Sequence, residues 1–324
     1  MSPSEKLCRR FGIRLPIVQA PIGRVASPEL ASAVTRAGGL GQLACTWDSP
    51  DDLRARIDAT RALAKGPFAV NFVLDFPIEE KLALALDRGV PVVSFFWGVS
   101  EEHIARVHLA GGLALQTVGS VNEAILAAKA GADAIVAQGY EAGGHVRSNV
   151  STFILVPRVV DAVGDIPVLA AGGIADARGV RAALALGAAG VWVGTRFLAS
   201  TEADIHPVYQ ERIVSASEED TVYSELFDIG WPNAPLRTLR NSTVRAWEEA
   251  GRPLSPHRPG EGQIIGKRAS GADMLRYDFG SPTRLATGET EAMAHYAGQG
   301  VGLVRAVRSA ADIVEELAAG LATS

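Results

Sequence analysis

Short apolar runs alternate with longer stretches in which apolar residues recur at helical spacing. The clearest example is 167–197, PVLAAGGIADARGVRAALALGAAGVWVGTRF. An apolar run, 167–171, stops at Gly172-Gly173. Residues 175–186 then place apolar side chains on one helical face, with Asp176, Arg178 and Arg181 on the other. Gly187 ends that helix, and a second apolar run, 190–193, stops at Gly194-Thr195. Continuous apolar runs bounded by glycine read as strands buried on both faces, as in a parallel sheet. The phrase helix, glycine, buried strand recurs along the first two thirds of the chain. It predicts eight strands at 17–19, 40–44, 68–72, 91–95, 113–117, 134–138, 167–171 and 190–193. A helix is predicted after Ser27, with Ser27 as N-cap, Pro28 at the first helical position and Glu29 in the first turn. Eight parallel strands with helical crossovers predict an α/β fold, a (β/α)8 TIM barrel. The G-x-G-x-x-G that an open dinucleotide-binding sheet carries after its first strand is absent.

Beyond Phe197 the pattern changes. Residues 208–291 are rich in turn signals, such as WPNAP, GRPLSPHRPGEG and GSPTR. This stretch reads as an inserted small cap or substrate domain, with 1–207 and 292–324 forming the barrel. Residues 290–297 and 309–321 read as helices, the second closing the barrel's outer ring.

Composition narrows the function classes. The chain has 324 residues, 31 basic against 36 acidic side chains and a formal charge of −5, so no basic surface points to nucleic acid. Cys8 and Cys45 are its two cysteines, too few for a disulfide framework or a metal cluster. No metal site is expected. The N-terminus lacks the apolar core of a signal peptide, and no apolar stretch is long enough to span a bilayer, so a cytoplasmic protein without membrane partners is expected.

Chemistry concentrates at predicted strand ends. Gly172, Gly173, Gly194 and Thr195 follow two consecutive strands. There, backbone N–H groups and a helix N-terminus can hold an anion, the usual phosphate site of a barrel when these are strands seven and eight. His145 ends a glycine-rich loop after strand six, which aims it at the barrel mouth. A neutral imidazole there can take a proton from a carbon acid or hydrogen-bond an oxygen. Arg147 reads equally as an anion holder or a solvated loop residue. His103 and His108 lack metal-ligand spacing and read as a solvated helix face. Tyr223, Phe227 and Trp231 read as a substrate wall or as a mini-core of the small domain.

Several segments together resemble the nitronate monooxygenase family of FMN-dependent TIM-barrel enzymes. They are Gln19-Ala20-Pro21-Ile22-Gly23, Val70-Asn71-Phe72, the 137–145 segment AQGYEAGGH, Ala170-Ala171-Gly172-Gly173-Ile174 and Val193-Gly194-Thr195-Arg196-Phe197. Flavin-dependent enoyl-ACP reductases and some NADH:quinone reductases are similar. The resemblance covers most of 13–205, and Gly298-Gln299-Gly300 also fits. It implies FMN as cofactor. Its phosphate would lie on Gly172, Gly173, Gly194 and Thr195, and its ring on Ala20, Pro21, Ile22 and Gly23. The amides of Asn71 and Gln138 would meet its pyrimidine edge, with Gly143, Gly144, Trp192 and Val193 around it. The family usually has methionine where Ile22 stands, a change that conserves volume. The resemblance makes His145 the catalytic residue. It implies oxidation of an alkyl nitronate by dioxygen to a carbonyl compound and nitrite, on a small-molecule substrate. Val146-Arg147-Ser148-Asn149 departs from the glycine that many members carry after this histidine, which leaves the substrate open. An NAD(P)H-dependent flavin reductase is the alternative within enzymes. A non-flavin phosphate-binding lyase or isomerase is the alternative outside flavoproteins, but its strand-end lysines are missing. A homodimer is compatible with all of these.

Overall fold

A computed structural model describes residues 1–322. In chain order, α1 (Pro3–Phe11), β1 (Ile17–Gln19), α2 (Pro28–Ala37), β2 (Gly41–Ala44), α3 (Pro50–Ala64) and β3 (Phe68–Val73) come first. Next are α4 (Glu79–Asp87), β4 (Val92–Phe96), α5 (Glu101–Leu109), β5 (Leu113–Val118), α6 (Val121–Lys129) and β6 (Ala134–Gln138). They lead to β7 (Gly144–His145), α7 (Thr152–Val163), β8 (Val168–Ala171), α8 (Ala177–Ala185), β9 (Gly190–Val193) and α9 (Thr195–Leu198). Ser27 caps α2 as the sequence predicts, its hydroxyl accepting from Leu30 N, with Pro28 in the first turn.

The eight long strands pair in parallel in the order β1-β9-β8-β6-β5-β4-β3-β2. A parallel bridge between Val18 and Leu40 joins the two ends, with Gln19 N donating to Leu40 O at 3.0 Å. The sheet is therefore an eight-stranded TIM-like barrel, as the run of buried strands predicts. Side chains alternate between two layers. Val18, Leu40, Ala69, Val92, Leu115, Val136 and Leu169 fill the interior, and Leu7 and Phe11 of α1 plug one end. Val70, Phe72, Val93, Ile135, Val191 and Val193 pack outward against the helices.

The rest of the described chain holds α10 (Pro207–Ser215), β10 (Thr221–Ser224), β11 (Leu236–Leu239), α11 (Ser242–Glu249), β12 (Ile264–Lys267), β13 (Asp273–Leu275), β14 (Thr287–Gly288) and α12 (Ala310–Ala318). Helix α12 returns to the barrel beside α2 and α8. Strands β13, β12 and β14 form one small sheet, and β10, β11 and β7 form another. The second sheet ties the two regions together, because Leu236 pairs with His145 and Arg237 with Gly144.

The helix expected over 290–297 does not form. A single 3-10 turn, Thr290–Ala292, gives way to extended chain. Neighbours around β11 and α11 capture its backbone: Leu239 N donates to His295 O at 2.7 Å, and Asn241 Nδ2 to Met293 O at 2.7 Å. The solvated helix face expected for His103 and His108 holds for His108, which is exposed and meets buried Asp133 through Nε2 at 2.9 Å. It needs correction for His103, which is half-buried against Phe95 with ring centroids 5.9 Å apart.

His295 is fully buried, stacked on Tyr209 at 4.4 Å, and burial pushes its pKa from 6.5 down to about 3. The unfolded chain therefore binds a proton near pH 6.5 that the folded chain refuses until about pH 3. Stability from this group is intact above 6.5 and is lost as pH falls below it, at about 1.4 kcal/mol per pH unit. His295→Asn should flatten the loss between pH 7 and pH 5, read as the difference between urea unfolding curves of the two proteins. Parallel pH dependences would rule this contribution out.

Candidate active site

The C-terminal ends of the barrel strands open into a cavity of about 840 Å³. Ala20, Pro21, Ile22, Gly23, Asn71, Gln138, Gly143, Gly144, His145, Gly172, Gly173, Trp192, Gly194 and Thr195 all line it. Of the residues expected to hold the cofactor or to be catalytic, Val193 alone does not: its side chain is buried in the outward layer, and its carbonyl accepts from Ala20 N at 2.8 Å.

The glycine wall is tight. Gly172 and Gly173 sit at φ 106° and 72°, a left-handed geometry that favours glycine. A Cβ added at Gly143 would lie 2.3 Å from Gly298 N, and one at Gly300 would lie 3.3 Å from the Gly173 backbone. Thr195 Oγ1 accepts from Gly298 N at 3.0 Å, so the Gly298–Gly300 turn joins the cradle. Beside it, both Glu141 carboxylate oxygens accept from Thr152 N, at 3.0 and 2.9 Å, and so take the N-terminus of α7. The Gly172-Gly173 and Gly194-Thr195 turns face the same cavity.

The amides are oriented by the protein. Asn71 Nδ2 donates to Ser94 Oγ at 2.8 Å, and Ser94 Oγ donates onward to Gln42 Oε1. Gln42 N donates to Gln19 Oε1 at 2.9 Å, which closes a buried polar layer beneath the cavity. Gln138 Nε2 donates to His145 O at 3.2 Å, while Gln138 Oε1 is buried without a partner among the described residues. An orphaned acceptor at a strand end is a site for a ligand donor.

His145 rests on a two-residue strand held by β11, with Val146 N donating to Pro235 O at 2.8 Å. Its ring stacks on Trp231 at 3.9 Å, with Trp97 at 6.0 Å, Tyr296 at 5.6 Å and Phe279 at 6.5 Å. Burial among these rings pushes its pKa from 6.5 down to about 3. Its Nε2 has no hydrogen-bond partner among the described residues. The imidazole is therefore neutral at physiological pH and carries a nitrogen not committed to the protein. Trp97 holds a positive φ of 68°, uncommon for a bulky residue.

Other side chains sort by contact. Trp231 lines the cavity, whereas Phe227 is fully buried in the core of the smaller sheet. Tyr223 flanks Arg237 and donates to Val146 O at 3.2 Å. Arg147 pairs with Glu123 at 2.8 Å and covers Trp97, outside the cavity lining. Trp47, Phe279 and Tyr296 line the cavity without having been singled out from sequence. Trp47 closely follows β2, a strand-end position that the barrel rule covers; Phe279 and Tyr296 lie in irregular chain with no periodic signal.

The nitronate monooxygenase family profile matches residues 4–79 and 75–320. A dehydrogenase of Mycobacterium tuberculosis acting on a 5-hydroxy-7a-methyl-1-oxo-octahydro-1H-indene-4-carboxyl-CoA is 40% identical over 72% of this chain and 66% of its own length. A probable nitronate monooxygenase of Bacillus subtilis is 34% identical over 69% of this chain and 77% of its own. Among solved structures, FabK from Thermotoga maritima superposes with a TM-score of 0.81 at 35% identity, covering 96% of this chain and 94% of that one. Nitroalkane oxidase from Streptomyces ansochromogenes gives 0.79 at 32% identity, covering 98% and 97%. The chain spans about two thirds of the length of the M. tuberculosis relative.

Proposed function

The chain belongs to the nitronate monooxygenase family, and from that premise we propose an FMN-dependent enzyme that oxidises alkyl nitronates with dioxygen to a carbonyl compound and nitrite. That it is an oxidoreductase acting on a small molecule follows from the family. The nitronate, the dioxygen and the choice of FMN are our reading. The observation that carries it is a neutral, uncommitted imidazole, His145, facing the same cavity as two glycine turns and the orphaned Gln138 Oε1.

The residues fit a flavin mononucleotide. Gly172, Gly173, Gly194 and Thr195 would hold a phosphate through backbone N–H groups and one hydroxyl, and Gly298 and Gly300 would close over it. Gln138 Oε1 would supply an acceptor for an imide N–H. Ala20-Pro21-Ile22-Gly23 would be the bed beneath the ring. One phosphate cradle without a dinucleotide fingerprint favours FMN over FAD. Bound there, the flavin supplies the electron transfer that no side chain can. The protein's own part is to place the substrate carbon, exclude water and hold or take a proton at His145. Residues 208–291 would act as the substrate-side cap, and they share a sheet with the His145 strand.

A second reading has support in the relatives: an oxidoreductase of acyl thioesters that uses a nicotinamide donor. The M. tuberculosis relative is named for a CoA thioester. Anaerobic mixing of purified holoenzyme separates the readings. Bleaching of the visible band by an alkyl nitronate, then recovery in air with release of nitrite, is the expected result. Bleaching by NADH or NADPH but by no nitronate would transfer the assignment to the second reading.

A further inference from the structure

The cavity wall around His145 is aromatic, and its polar tips point elsewhere. Trp47, Phe96, Trp231, Phe279 and Tyr296 line it. Trp47 stands 5.8 Å from Trp231 and 5.1 Å from Phe279, ring to ring, and Phe76 backs both Trp47 and Trp231 at 5.2 and 5.3 Å. Trp231 Nε1 donates to Asp75 Oδ2 at 3.1 Å, and the Tyr296 hydroxyl donates to Phe279 O at 2.6 Å. Trp47 Nε1 is buried and makes no hydrogen bond. This wall therefore offers a ligand mainly ring faces and edges, with Trp47 Nε1 its one donor that has no partner among the described residues. The charged residues of the cavity are engaged too: Arg24 pairs with Asp48 at 3.0 Å, and Arg268 with Asp278 at 2.7 Å.

Packed rings left facing a cavity favour an apolar body that covers them. Ring-on-ring contact adds to the gain from burial alone. A short alkyl chain would leave most of this surface uncovered. We propose that the substrate carries a ring-sized apolar group, alicyclic or aromatic, next to the carbon that meets His145. Trp47 and Phe279 would then be its specificity-determining residues. The identity of the reacting carbon rests on the oxidative reading above; the preference of the chamber for rings does not.

The test is equilibrium titration of the flavin-loaded protein with cyclohexanone and with acetone, carbonyl compounds shaped like the products of a cyclic and a short-chain substrate. Perturbation of the visible band reports binding. Cyclohexanone should bind at least about ten-fold more tightly, the worth of burying a few methylene groups. Phe279→Ala and Trp47→Ala should each erase most of that preference while acetone affinity stays within about two-fold. If either alanine variant fails to fold or loses flavin, Phe279→Leu and Trp47→Phe should show the same loss at smaller size. Equal affinities for the two ketones, or folded variants that keep the wild-type preference, would overturn the proposal. Nitrite release adds an independent arm. The nitronate of nitrocyclohexane should exceed that of nitroethane in kcat/KM, and equal values would also overturn it. No nitrite from any nitronate, with the cyclohexanone preference intact, would sink the oxidative reading and leave the ring chamber standing.

Discussion

Replacing His145 with alanine should lower turnover of a neutral nitroalkane by on the order of 10²–10⁴, the usual worth of a positioned acid or base, while the flavin stays bound. The selectivity follows from position. His145 is held by β11 and Trp231, and its contact with Gln138 is through the backbone carbonyl, which alanine retains. A neutral nitroalkane must lose a carbon proton and should suffer most. A preformed nitronate has already lost that proton, so the imidazole can only orient it or stabilise charge, and the loss should be smaller. Burial pushes the pKa of the wild-type imidazole down to about 3, so its ionisation should put no break in the kcat/KM profile between pH 5 and 8. Steady-state rates on both substrate forms at matched pH test this. Equal, small losses on both would make His145 a structural loop residue.

Filling the cradle should remove the flavin. Gly194 has φ −108°, open to any residue, and an added Cβ there meets only Ile22 Cγ2 at 3.4 Å and Ala20 Cβ at 3.5 Å. Gly194→Val should therefore fold, put its methyl groups where a phosphate would sit, and leave the purified protein with only a small fraction of the wild-type flavin occupancy. Gly173→Val should act likewise. Its Cβ has no atom closer than Glu141 Cγ at 3.8 Å, but its φ of 72° adds about 1–2 kcal/mol of backbone strain. Absorbance ratios after purification, with a circular dichroism melt as the fold control, read both variants. Full occupancy in Gly194→Val would move the phosphate elsewhere.

The barrel is legible because strands covered on both faces must be apolar throughout, and glycine must end the intervening helices. That logic finds β2 to β6, β8 and β9 within a residue or two of their observed ends. It also finds the strand-end glycines and amides, since position on a barrel strand fixes which face they reach. What stays hidden is set by contacts far apart in sequence. Strand β7 is two residues long and exists only because β11 pairs with it. The 290–297 segment has helix-compatible residues, yet β11 and Asn241 take its backbone. Trp231 and Phe227 lie close in sequence and look alike there; the fold sends one to the cavity and the other to a core. The stacking of Trp231 on His145, which depresses the histidine's pKa by keeping water away, has no local signature at all.

The proposed chemistry depends on a flavin in this cavity, and identifying the cofactor tests it most directly. Protein purified without added flavin should be yellow, and heat denaturation should release a fluorescent compound with the mass of FMN in near-stoichiometric amount. Release of FAD, or a colourless protein whose melting temperature does not rise on adding FMN, would contradict it.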